Sequence, residues 1–139
     1  MKKITILGIF FIILSATSLS AQNIGAEIRA YLKKEGYSIS TEQYAYLSEG
    51  EMAGHTKTFY SGTEYAIIAY TEDYGVKDID VYLYDDDGSV LVKDIETERF
   101  AIIEYKPYIS REMRAVIKNY ESESSIKEYK CKFIIAYKN

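Results

Sequence analysis

Six aspartates lie within the seventeen residues from Asp78 to Asp94, in the sequence DIDVYLYDDDGSVLVKD. Carboxylate oxygens are the ligands that Ca²⁺ prefers, and this cation takes roughly six to eight oxygen ligands in proteins. We therefore consider a calcium site in which Asp78 and Asp80 come from a strand, and Asp85 and Asp87 come from the turn that follows it.

The same acidic turn also fits an ordinary β-hairpin. Asp85 and Asp86 favour a turn, Gly88 can supply a positive φ, and Val90 resumes the strand. The spacing does not match a helix-loop-helix calcium loop, because Leu83 falls at the first position, where an oxygen ligand is needed. The sequence favours the hairpin and keeps calcium, the one cofactor considered, as the alternative.

Catalytic residues are not predicted. His55 is the single histidine, so a histidine-rich zinc site is excluded. A Ser-His-Asp arrangement would have to use this residue in Gly54-His55-Thr56, which reads as an exposed segment without a nucleophile-elbow motif. We predict a protein that is not an enzyme, with a small secreted hydrolase as the least favoured alternative.

Fifteen tyrosines and no tryptophan are the other unusual feature of the composition. Tyr82 and Tyr84 alternate with apolar residues on one strand, and Tyr108 lies just after Pro107 between two strands. Exposed tyrosines on a rigid sheet suit recognition of proteins or sugars, although tyrosine also fills outward strand positions because of its β propensity. We predict a binding surface at Tyr82, Tyr84 and Tyr108 for a protein or glycan partner.

The elements that hold these residues begin with a helix. Asn23 can act as its N-cap and Gly36 ends it. Its apolar face, expected to lie across a sheet, consists of Ile24, Ile28, Tyr31 and Leu32. The next segment, Ser40 to Leu47, fits a helix if Ser40 and Gln43 form a capping box, but its tyrosines fit a strand equally well.

A β-rich body follows from His55 onward, where short runs of Tyr, Ile, Val and Phe alternate with turn residues. Seven strands in about eighty residues predict an antiparallel two-sheet β-sandwich, jelly-roll-like, with one N-terminal α-helix. The predicted strands are Lys57 to Tyr60, Glu64 to Thr71, Ile79 to Tyr84, Val90 to Lys93, Phe100 to Tyr105, Arg111 to Lys118 and Glu128 to Tyr137. Glu64 to Thr71 is apolar on both faces and should be central. Cys131, the only cysteine, falls on an apolar strand face and should be buried.

The first 21 residues have the form of a secretory signal peptide. Lys2 and Lys3 precede an apolar run from Ile4 to Leu14, and small residues lead to a cleavage site near Ala21. We predict an exported chain, periplasmic or extracellular, monomeric and not inserted in a membrane after cleavage. Residues 22–52 would form the helix and a connecting segment, and residues 53–139 the sandwich. Loss of two lysines leaves an acidic chain of about −6, which argues against a nucleic-acid partner.

Several short motifs of the body resemble the bacterial pre-peptidase C-terminal domain. Gly62 and Tyr65 match its Gly turn and aromatic strand, Asp78 and Asp80 match its Asp-x-Asp strand, and Asp87-Gly88 matches its hairpin. The resemblance covers roughly Thr58 to Tyr137. It implies a jelly-roll-like sandwich that serves as a non-catalytic binding or accessory module, and related domains of secreted collagenases bind calcium through acidic residues.

Overall fold

The computed structural model describes residues 23–139, so the predicted signal peptide lies outside the described residues. The chain forms one helix, α1 (Ile24–Lys34), and eight strands. They are β1 (Ser38–Leu47), β2 (Met52–Phe59), β3 (Glu64–Thr71), β4 (Val76–Tyr84), β5 (Val90–Asp94), β6 (Phe100–Tyr105), β7 (Arg111–Ser122) and β8 (Tyr129–Lys138). Within residues 23–139, no helix is both long enough and apolar enough to span a membrane.

The strands form two four-stranded antiparallel sheets. The first sheet has the order β1-β8-β3-β6 and the second has the order β2-β7-β4-β5. Consecutive strands therefore lie in different sheets, except β4 and β5, which are neighbours in one sheet; this is jelly-roll connectivity. The predicted fold class, a two-sheet sandwich with one helix near the N-terminus, is confirmed.

Strand β3 is central, as its two apolar faces predicted. It lies between β8 and β6, with Ile67 opposite Ile135 on one side and Ile103 on the other. Because successive side chains of a strand point to opposite faces, Ile67 belongs to the core between the sheets and Ile68 to the layer beneath α1. Both isoleucines are fully buried.

Helix α1 covers the central part of the outer face of the first sheet. Ile28 and Leu32 are buried against this face. Gly36, with φ of 87°, ends the helix, and the N–H of Tyr37 donates to the carbonyl of Leu32 at 2.8 Å. The predicted N-cap is wrong in one respect, because Asn23 makes no capping hydrogen bond from its side chain. Its backbone is already helical, whereas an N-cap that accepts from the first turn is extended.

The segment that the sequence left open is strand β1, an edge strand paired with β8. Tyr44 and Tyr46 point outward, while Ala45 and Leu47 pack against the core between the sheets. The register shifts near Ser40, whose hydroxyl donates to the carbonyl of Ile135 in place of a capping interaction. The two-residue alternation therefore prevails over the capping-box pattern.

Strand β2 begins at Met52, five residues before its predicted start at Lys57. It is an edge strand of the second sheet and pairs only with β7. Only its last residue, Phe59, is fully buried, so few of its side chains need to be apolar. Cys131 is fully buried and unpaired, as predicted. Burial, followed by the nearby charge of Asp73, raises the pKa of its thiol to about 12.

Candidate functional site

The two outer faces of the sandwich differ. Helix α1 covers the central part of the outer face of the first sheet and leaves Tyr44 and Tyr46 exposed at its β1 edge, whereas the second sheet has no helix from the described residues over its outward side chains. We call this second surface the open face. Its residues are Met52, Gly54 and Thr56 of β2, Arg114, Val116, Lys118 and Tyr120 of β7, and Tyr82 and Tyr84 of β4.

Two of the predicted binding residues, Tyr82 and Tyr84, lie side by side on the open face. Their ring centroids are 6.0 Å apart and the rings are inclined by only 27°. Across the ladder, Tyr82 is opposite Val116 and Tyr84 is opposite Arg114. Both rings are half-buried, and burial followed by the charge of Asp80 raises the pKa of the Tyr82 hydroxyl.

A cavity of about 540 Å³ opens beside Tyr84 on this face, with Met52 and Arg114 among the residues that line it. The guanidinium of Arg114 packs directly against Gly54. A Cβ atom at position 54 would lie only 2.6 Å from the Nε and Nη2 atoms of Arg114. Among residues 23–139, no ion pair holds this guanidinium. The sequence did not single out Arg114. Only Gly54, which lacks a side chain where the guanidinium of Arg114 approaches β2, signals a special position.

The hairpin between β4 and β5 borders this cavity. Gly88 has φ of 85°, and the N–H of Asp85 donates to the carbonyl of Ser89 at 2.8 Å, so the predicted hairpin geometry is present. Asp87 accepts hydrogen bonds from the N–H and hydroxyl of Ser89, which lower the pKa of its carboxyl. Asp85 forms an ion pair with Arg111 at 3.0 Å.

The carboxylates of Asp85, Asp86 and Asp87 each place an oxygen within 4.8 Å of the others, so these three residues can approach one cation together. Asp78 and Asp80 are not part of this group. Two of the four predicted calcium ligands, Asp85 and Asp87, are therefore brought together, and the other two lie apart from them. The calcium site stays a prediction.

Asp78 and Asp80 form a buried carboxyl pair on β4, with exposed fractions of 3% and 2%. The sequence placed them on the outer face with the two tyrosines, where they were also compatible with separately solvated charges. The structure excludes that solvation, because the connection from β5 to β6 runs beside this half of β4. There the N–H of Ile79 donates to the carbonyl of Glu98 at 2.9 Å.

Each carboxyl of this pair keeps one buried oxygen, Oδ1, without a hydrogen-bond partner within the described residues. Burial raises the pKa of the Asp78 carboxyl. Burial, and then the charge of Asp78, raises the pKa of Asp80 to about 6, against the opposing effects of the Tyr82 hydroxyl and Lys118. Below about pH 6 the pair therefore holds a proton in preference to two full negative charges.

The last aspartate of the acidic stretch has a structural role. Asp94 is buried, and its carboxylate accepts hydrogen bonds from the N–H groups of Ile102, at 2.9 Å, and of Glu96, at 3.2 Å. The bond from Ile102 joins β5 in the second sheet to β6 in the first. The six aspartates thus divide into a buried pair, a hairpin group and a link between sheets.

Tyr108, the third predicted binding residue, lies on a separate surface between β6 and β7. It is 96% exposed, and Ile109 and Tyr60 beside it are also exposed. Two hydrogen bonds join their loops, from the N–H of Gly62 to the carbonyl of Pro107 and from the N–H of Ser61 to the hydroxyl of Ser110. We call Tyr60, Tyr108 and Ile109 the tip. The sequence missed two of its members because exposure of a loop residue leaves no periodic pattern.

His55 lies on β2 with its ring 6.0 Å from the ring of Phe133, a residue of the core. It is half-buried, whereas the sequence indicated an exposed segment. Along β2, position 55 points inward in the same way as Ala53 and Phe59. The imidazole of His55 therefore contacts Phe133 in the sandwich interior.

No family model and no curated protein sequence matches this chain. Solved structures with the same fold do match. One is PliG of Aeromonas hydrophila, a periplasmic lysozyme inhibitor of g-type lysozyme, with a TM-score of 0.53 and 5% identity over 75% of this chain and 90% of that chain. Another is the pre-peptidase C-terminal domain of a collagenase from Bacillus anthracis, with a TM-score of 0.51 and 12% identity over 70% and 89%. The predicted resemblance to the pre-peptidase C-terminal domain is confirmed for the fold.

Proposed function

We propose that this protein is an exported, non-enzymatic β-sandwich module that binds another protein through the tip. The observation that carries the proposal is the exposure of Tyr108 and Ile109 on a loop whose backbone is held in place. Large apolar side chains are costly to leave in water and gain most when a partner pocket covers them. Because the loop is already ordered, binding would lose little conformational entropy.

The aspartates of the hairpin between β4 and β5 indicate which charge the partner should carry around the pocket that receives the tip. Arg111 begins the strand that follows the tip, and its ion pair with Asp85 holds the acidic hairpin at the same end of the sandwich. Asp86 and Asp87 are exposed there. We infer a partner with an apolar pocket and basic residues around its rim, since complementary charge speeds and orients association.

The fold neighbours support a protein partner, because one of them is an inhibitor of a g-type lysozyme, itself a protein. A g-type lysozyme is therefore the first probe. Binding is measured by biolayer interferometry with the exported chain immobilised, and inhibition by the rate of cell-wall lysis. The Tyr108→Ala/Ile109→Ser double variant is expected to weaken any binding by at least about a hundredfold, as for a hot spot of two residues.

The matched control is Ile126→Ser, which removes another strongly exposed isoleucine from the loop between β7 and β8. If the lysozyme does not bind, proteins of the exported fraction are captured on wild type, on the double variant and on the control. A partner captured by wild type and the control but lost on the double variant supports the proposal. Equal capture by all three forms would contradict it.

A carbohydrate-binding module is the second candidate, and the pair Tyr82 and Tyr84 beside the cavity favours it. Near-parallel tyrosines suit the faces of a neutral sugar chain, and the guanidinium of Arg114, which has no ion pair within residues 23–139, suits its hydroxyls. Affinity electrophoresis through gels that contain neutral polysaccharides tests it. Retardation that Tyr84→Ala abolishes and Tyr108→Ala leaves intact would favour this candidate over the tip.

Stabilisation by calcium is the finer prediction from the sequence, and we propose the hairpin group as its place. Thermal unfolding is compared with excess calcium and with chelator. Calcium at a hundred times its dissociation constant should add roughly 2.7 kcal/mol to the free energy of unfolding. Asp86→Asn should remove this gain, whereas Asp78→Asn/Asp80→Asn should keep it. Identical curves for wild type with calcium and chelator would refute the site.

A further inference from the structure

A second exposed aromatic surface lies on the first sheet. Tyr44 and Tyr46 of β1 are both exposed, and their rings meet edge to face with centroids 5.9 Å apart. The ammonium of Lys130, on the neighbouring strand β8, lies 4.2 Å from the centroid of Tyr44. This contact is close enough for a cation–π interaction that orients the lysine over the ring.

A groove of about 350 Å³ continues from Lys130 along the same surface. It is lined by Glu72, Asp73, Tyr74, Lys130 and Lys132. Lys132 forms an ion pair with Glu72 at 2.6 Å. Among residues 23–139, no ion pair neutralises Lys130. We call Tyr44, Tyr46, Tyr74, Lys130 and Lys132 the tyrosine–lysine patch.

The patch combines three kinds of group that one class of ligand would use. Exposed tyrosine rings stack on the apolar faces of sugar rings. The ammonium of Lys130 attracts an anion, although the chain as a whole carries a formal charge of −4. Glu72 and Asp73, in the same groove, offer oxygens that accept hydrogen bonds from hydroxyl groups.

These acids also argue against a nucleic-acid duplex, which carries one negative charge per about 1.7 Å of its axis, because its closely spaced phosphates would meet Glu72 and Asp73 as well as the lysines. We propose that the tyrosine–lysine patch binds an acidic polysaccharide whose sugar units carry carboxylates. The sugar rings stack on the tyrosines and a carboxylate pairs with Lys130. This function goes beyond protein binding at the tip and would attach the module to an acidic glycan surface.

The test is affinity electrophoresis of the exported chain at low salt through gels that contain one polymer each. Polygalacturonate offers sugar rings and carboxylates, dextran offers rings alone, and polyglutamate offers carboxylates alone. We expect retardation by polygalacturonate only. Lys130→Gln and Tyr44→Ala should each weaken the apparent affinity about tenfold, and Lys130→Arg should retain it.

The chain provides a matched control on the other sheet, where Lys118 lies 5.3 Å from the centroid of the exposed Tyr120. Lys118→Gln should leave polygalacturonate binding unchanged, because it removes the same chemistry from a different surface. Equal retardation by polyglutamate, equal loss in Lys118→Gln, or no retardation in any gel would overturn the inference. Tyr108→Ala should not affect polygalacturonate binding, so the experiment tests the patch independently of protein binding at the tip.

Discussion

Replacement of Asp80 by asparagine should stabilise the protein at neutral pH. The carboxyl of Asp80 is buried beside Asp78, and its pKa rises from an ordinary value of 3.8 to about 6. Each pKa unit of that difference corresponds to roughly 1.36 kcal/mol, so ionisation of Asp80 costs about 3 kcal/mol more in the native state than in the unfolded chain. Asparagine keeps the shape of the side chain and removes the charge.

The sign of the pH dependence follows from proton binding. Between pH 4 and pH 6 the native state holds more protons at this site than the unfolded chain does, so this contribution to stability falls as the pH rises. Below pH 4 both states are protonated. Asp80→Asn should therefore raise the free energy of unfolding by about 1–3 kcal/mol at pH 7.5 and by little at pH 4, the range allowing for the lost attraction to Lys118.

The assay is urea unfolding followed by circular dichroism from pH 4 to pH 8. Asp86→Asn is the control, because it removes an exposed carboxylate from the adjoining hairpin. The measurements are made with chelator present, so that no cation offsets the repulsion within the pair. A variant that is less stable than wild type at pH 7.5, or a difference that does not change with pH, would refute this account of the pair.

Three further outcomes follow from close packing. Gly75→Ala should lower the free energy of unfolding by about 1–3 kcal/mol in urea titrations, because the new methyl group overlaps the buried ring of Tyr129. Gly54→Ala should change the free energy of unfolding by less than about 0.5 kcal/mol, since the exposed Arg114 can move aside. The same variant should weaken the binding of any ligand to the open face. Cys131 should react with a thiol reagent only at the rate of unfolding, and fast modification of the native protein would contradict its burial.

The strands that the sequence located best are those in which burial dictates composition. The predicted strand Glu64 to Thr71 coincides with β3. Both faces of this strand are buried, so nearly all of its positions require apolar side chains. Strands β1 and β2 were harder, because almost all of their positions are exposed or half-buried and tolerate tyrosine, serine or threonine. For Ser40 to Leu47 in β1, the spacing of apolar residues and the propensities of the side chains were compatible with both a helix and a strand.

The candidate site was only partly predictable for a related reason. Alternation along β4 correctly put Tyr82 and Tyr84 on one face with Asp78 and Asp80, but it carries no information about the connection that buries the two carboxyls. Pairing across the sheet, which sets Arg114 opposite Thr56 and its guanidinium close to Gly54, also depends on register between strands distant in sequence. Local pattern fixes the direction of a side chain, whereas its burial depends on remote chain segments.

The pairing of β1 with β8 has a consequence for how the chain folds. Ser38 lies opposite Tyr137, so the first and last strands are neighbours in one sheet. Contacts between such distant residues require a large loop to close before they are formed, which slows folding. The first sheet cannot be completed until residues 129–138 are available. A chain still under synthesis therefore lacks a partner for β1, and the first sheet is completed only after all of β8 has been made.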